Sequence, residues 1–143
     1  MKLIVTLICA LALFGCTPEV KNDEKTLNRI FASNNYQIKV QTCGCFGCGT
    51  YSYDVKVKDE KITIANSSGK QKIEVSRDSI EAFKNFMSER IGKNMKRGLC
   101  TSNYHFQVET NNSAITFTDE GWYEWDVLNK IIPLKSIPDA FDD

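Results

Sequence analysis

The chain has 143 residues, with 18 Lys and Arg balanced by 18 Asp and Glu, so its formal net charge is zero. That balance offers no electrostatic case for nucleic acid, whose binding requires a basic face, and the length suits one domain with a real core but not two. The one local basic group, Arg90, Lys93, Lys96 and Arg97, falls around the end of a predicted helix, where cations complement the carbonyl end of the macrodipole.

Met1 and Lys2 lead into an apolar run over residues 3–14, interrupted only by Thr6. About a dozen residues matches a signal-peptide core and falls short of the roughly 20 that span a bilayer as a helix. The run ends in Leu13-Phe14-Gly15-Cys16. This resembles the lipobox of bacterial lipoproteins, whose cysteine is thioether-linked to diacylglycerol, with Phe14 bulkier than is usual at its position. The resemblance implies that residues 1–15 are removed as a signal peptide and that Cys16 is lipidated. The membrane partner is then met through a lipid anchor, several acyl chains giving stable attachment. Thr17, in place of an aspartate, is compatible with delivery to the outer membrane or cell surface over the inner membrane. Residues 17–25 are polar and charged, so residues 16–34 are expected to form the lipidated cysteine and a tether. Within it, Leu27, Ile30 and Phe31 have the spacing of a short helix over residues 26–34.

From Tyr36 the apolar period changes to two. Tyr36, Ile38 and Val40 alternate with Gln37, Lys39 and Gln41; Tyr51, Tyr53, Val55 and Val57 do the same. Ile62 and Ile64 follow a turn at Asp59-Glu60, and Ile73 and Val75 follow one at Asn66-Ser67-Ser68-Gly69. Then Ile80, Phe83, Phe86 or Met87, and Ile91 fall at helical spacing, with Asp78 and Glu81 as a capping pair and Gly92 as a stop. Tyr104, Phe106 and Val108, then Ile115 and Phe117 after the Asn111-Asn112 turn, predict a hairpin. A second helix is expected to start near Thr118 or Asp119, carry Trp122, Trp125, Leu128 and Ile132 on one side, and stop at Pro133. The predicted fold is α+β, an antiparallel sheet of about six strands with two amphipathic helices packed on one face. It occupies residues 35–134, with residues 135–143 as a tail.

Of the six cysteines, Cys9 leaves with the signal and Cys16 takes lipid, leaving Cys43, Cys45, Cys48 and Cys100. In an oxidising compartment four thiols favour two disulfides. A Cys43–Cys45 bridge is strained, which leaves Cys45–Cys48 with Cys43–Cys100, or Cys43–Cys48 with Cys45–Cys100. Either scheme ties the first hairpin to the segment after the main helix. Cys45 and Cys48 also have the spacing of a redox pair, but no helix amino terminus is predicted there to depress a thiol pKa. Four thiolates suit zinc, yet the two spaced knuckles of such sites are absent, so neither metal nor other cofactor is expected.

Cys45-Phe46-Gly47-Cys48-Gly49-Thr50-Tyr51 resembles the Cys-Phe-Gly-x-Cys-Pro-x-Tyr signature of a family of bacterial secreted and lipoprotein domains of unknown function. Here the cysteines are one residue closer and Gly49 stands where the family has proline. The resemblance implies an exported α+β domain over residues 36–133 and supplies no activity.

His105, the only histidine, points away from the apolar face by strand parity and lacks a nucleophile or acid at recognisable spacing. Asp119-Glu120 fits the charge preference of a helix start, and Glu124 with Asp126 a solvated side, better than a glycosidase pair. Trp122, Tyr123 and Trp125 cannot all face the core, and Tyr123 is the expected exposed member. Phe46, Tyr123 and His105 therefore make the candidate binding surface. With no catalytic constellation, the sequence points to a non-enzymatic module that binds an envelope protein or glycan, the alternative being a thiol-dependent redox enzyme using Cys45 and Cys48.

Overall fold

The computed structural model describes residues 17–44, 47–95, 102–121 and 123–137. Signal, lipobox and Cys16 lie outside the described residues, as do Cys45, Phe46, Cys100 and Trp122. In chain order the elements are β1 (Glu19–Val20), α1 (Glu24–Phe31), β2 (Asn35–Gly44), β3 (Gly47–Lys58), β4 (Lys61–Asn66), β5 (Lys72–Val75), α2 (Arg77–Ser88), β6 (Asn94–Met95), β7 (Asn103–Glu109), β8 (Ser113–Glu120) and α3 (Tyr123–Ile131). A 3₁₀ turn, Leu134–Ser136, follows.

The six strands read from alternation are all present and antiparallel, in the order β8-β7-β2-β3-β4-β5. Register keeps like with like: Phe117, Phe106 and Val40 form one row, and Ile115, Val108, Ile38 and Tyr53 the next. Those side chains are buried under the helices. The opposite face carries Asp54, Gln37 and Glu109 in one row and Ser52, Lys39, Gln107 and Thr116 in another. It is a wet face whose groups satisfy one another: Gln37 Nε2 donates to Asp54 Oδ1 at 2.7 Å, and Glu109 takes both Lys39 and Gln107.

The β3–β4 connection is a two-residue turn with Asp59 at φ 49° and Glu60 at φ 66°. Left-handed backbone at both positions matches the twist of a tight hairpin but costs about 1 kcal/mol or more per non-glycine residue. Glu60→Gly is expected to raise stability by about 0.5–1 kcal/mol. A urea transition that stays put or moves to lower urea would count against this.

The sheet has eight strands, not six, because β1 and β6 both add in parallel to the outer edge of β8. β1 pairs at Ser113 and Ala114, and β6 at Thr118 and Asp119. Between them Asn22 Oδ1 accepts the Thr116 N–H at 2.7 Å, and the Gly92 N–H donates to the Thr116 carbonyl at 2.8 Å. The edge is thereby covered along its length, which removes a row of open backbone groups that would template aggregation. Two-residue strands have no periodicity to read.

Ordered packing also begins earlier than the tether expected over residues 16–34. The Asp23 carboxylate caps α1 by accepting the Thr26 N–H at 2.7 Å, and that hydrogen bond holds its pKa below the ordinary carboxylate value. Leu27 and Ile30 are fully buried against the domain. Two further features differ from expectation. α2 is capped by Ser76, whose hydroxyl accepts the Ser79 N–H at 3.1 Å, two residues before the predicted cap at Asp78. β8 continues to Glu120, so α3 starts at Tyr123 and not near Thr118. Asp119 still caps it, from inside the strand: its Oδ2 accepts the Glu124 N–H at 3.0 Å. At the other end Leu134 and Ile137 are buried, which carries the core past residue 134.

Candidate binding surface

Cys43 and Cys48 are directly opposed in the β2–β3 ladder with Cα atoms 4.1 Å apart, and their sulfurs are bonded. That spacing belongs to the closely spaced class of antiparallel pair, which brings two Cβ atoms within reach of a bridge. Of the two schemes compatible with the sequence, the bond formed belongs to the Cys43–Cys48 one, and its companion Cys45–Cys100 lies outside the described residues. Parity puts the bridge on the wet face, beyond Gln41 and His105. With Cys48 engaged, the Cys45–Cys48 couple of a redox motif is not formed. Replacing both Cys43 and Cys48 by serine opens a six-residue loop and is expected to lower stability by about 2 kcal/mol on the chain-entropy model. Native-state thiol titration is expected to find neither sulfur reactive, and a free thiol at Cys48 would contradict the assignment.

His105 sits in the same face, half-buried between Gln41 and Thr118, with Nδ1 3.2 Å from Thr118 Oγ1. Among the described residues no carboxylate hydrogen-bonds its ring in the way the orienting acid of a hydrolytic triad does. Tyr123 belongs to the helix layer on the other side of the sheet and is 54% exposed. The structure therefore does not bring His105 and Tyr123 onto one surface, and Phe46 lies outside the described residues. The alternation that placed His105 and the helical spacing that placed Tyr123 each describe one element, not how the two layers meet.

One of the carboxylates changes role. Asp119 is 0% and Glu124 1% exposed, and the latter receives Arg90 Nε at 2.6 Å. Arg90 also donates to the Phe86 carbonyl and lies 4.0 Å over the Phe86 ring. Glu124, expected on a solvated side, is thus a buried partner joining α2 to α3, and neither carboxylate reaches solvent as glycoside cleavage needs.

What periodicity does not reveal is an aromatic ladder running from core to surface. Phe117 stacks on Phe106 at 4.4 Å, Phe106 on Tyr104 at 6.2 Å, Tyr104 on Trp125 at 6.5 Å, and Trp125 on Tyr51 at 6.3 Å. Interplanar angles stay between 7° and 24°. The ladder surfaces at Tyr51, 38% exposed, in the half of β3 nearer the disulfide. Lys135 Nζ stands 5.9 Å from the Trp125 ring centroid and pairs with Asp126. Tyr51 and Trp125 lie far apart in sequence, so only the fold makes them neighbours. Trp125 is itself buried, so Tyr51 is the ring this ladder offers to solvent, near a cation and a carboxylate.

At the far end of the sheet, Pro18, Asn35, Asp54, Lys56, Glu109 and Asn111 line an open cleft of about 630 Å³. A second cleft of about 460 Å³ adjoins it, sharing Asn35 and Asn111 and adding Arg29 and Ser33. Among the described residues no cluster of His, Cys, Asp or Glu has the arrangement of a metal site. No protein-family model matches the chain, and no curated protein matches it in sequence.

Proposed function

We propose that the chain is an exported lipoprotein, anchored through Cys16, whose domain is a non-enzymatic binding module for a protein or glycan of the cell envelope. The anchor rests on the apolar run and Leu13-Phe14-Gly15-Cys16, and the family resemblance around Cys45–Tyr51 points to the same exported class. The binding role is carried by one observation: the stacked ladder that opens at Tyr51 beside Trp125 and Lys135. Stacked rings lose little side-chain freedom when a ligand lands on them, so such a surface binds without much ordering cost.

The test is a photo-crosslinking amino acid placed at Tyr51 in intact cells, with one at Asp59 as the comparison. A discrete envelope adduct from position 51 that the Asp59 position does not give is the expected result. Equal yields at both positions, or no adduct from position 51, would remove the support for a binding surface there.

A further inference from the structure

We infer that the domain stands upright on its membrane, with the β1 end of the sheet seated in the lipid headgroups and the Cys43–Cys48 end farthest from the bilayer. The inference rests on the anchor at Cys16 and goes beyond it by assigning a lipid-contacting surface. Thr17 and Pro18 alone separate Cys16 from β1, and three residue steps reach at most about 11 Å. β1 cannot swing, because the Glu19 N–H donates to the Asn112 carbonyl at 3.3 Å and the Lys21 N–H to the Ala114 carbonyl at 2.9 Å. A tether expected to hold the domain away from lipid is thus mostly consumed by the fold.

The surface held there has matching chemistry. Val20, 51% exposed, is one of three large hydrophobic side chains left open among the described residues, and it lies on this end. Next to Pro18 the two adjoining clefts present the Asn35 and Asn111 amides with Arg29 and Lys56, donors suited to phosphate and ester oxygens, while the Asp54 and Glu109 carboxylates of the first cleft are engaged by Gln37 and by Lys39 and Gln107. β2 then runs from Asn35 to Gly44, about 30 Å, and carries Cys43 and the hairpin end away from the membrane. Tyr51 pairs with Val40, beyond the middle of that span.

The experiment reconstitutes the full lipidated chain in phosphatidylcholine vesicles that contain a headgroup spin-labelled phosphatidylcholine. Tryptophan is introduced singly at Asn111, Val20 or Thr50, and each emission is read as the increment over the parent chain. Asn111→Trp and Val20→Trp are expected to be quenched several-fold more than Thr50→Trp. Equal quenching at the three positions, or stronger quenching at Thr50, overturns the orientation while leaving the anchor intact. Flotation of the parent and of Cys16→Ala separates the two failures: if they float alike, the anchor itself fails and the orientation falls with it.

Discussion

Replacing Glu124 by alanine is expected to lower stability by about 3 kcal/mol, because it removes the buried partner of the Arg90 guanidinium and leaves only the exposed Glu89 carboxylate beside it. The Arg90 side chain is 15% exposed and that of Glu124 1%, so water and Glu89 replace the lost partner only in part. A cheaper loss is expected when both charges go together. Arg90→Met with Glu124→Leu keeps the volume between α2 and α3, removes the ion pair whole, and should cost clearly less than Glu124→Ala alone. Equilibrium urea unfolding of the three variants checks this. A single-variant loss under about 1 kcal/mol would mean that the pair is hydrated and the burial is not what holds the helices.

Phe117→Ala is expected to cost a similar amount, about 3–5 kcal/mol, for a different reason. Phe117 is 2% exposed, stacks face to face on Phe106 across the β7–β8 ladder, and meets the edge of Phe86 from α2 at 5.7 Å. Its removal opens a cavity between sheet and helix where the strand backbone has no freedom to close in. Since Phe106 also supports Tyr104 beneath Trp125, the variant should broaden the native tryptophan emission before global unfolding. A loss below about 1.5 kcal/mol with unchanged emission would show that the ladder does not depend on its innermost ring.

The sequence made the sheet legible for a physical reason. A sheet with one wet face writes burial into every second residue, so alternation alone places Tyr36 to Val40, Tyr104 to Val108 and their partners. The helical stripe of Ile80, Phe83 and Phe86 was as clear. What escaped reading is held by hydrogen bonds instead of burial. β1 and β6 are two residues each, and Asn22 closes the β8 edge with a side-chain oxygen that looks like any tether asparagine. Asp119 fits the charge preference of a helix start and does cap α3, but it reaches the helix from within a strand, so α3 begins later than its position implies. The candidate surface was legible only in pieces. Tyr123 is as exposed as its helix position implied, while the neighbours that matter most to Trp125, namely Tyr51 and Tyr104, come from β3 and β7. Disulfide choice depended likewise on register, since sequence spacing alone could not say that Cys43 faces Cys48 across the ladder.

The proposed anchoring at Cys16 underlies both the proposed compartment and the inferred orientation, and the intact mass of the chain purified from its own membranes tests it most directly. The predicted result is a chain lacking residues 1–15, with a diacylglycerol thioether on Cys16 that Cys16→Ala abolishes. A chain that keeps residues 1–15 with an unmodified Cys16, recovered from the soluble fraction, would contradict it.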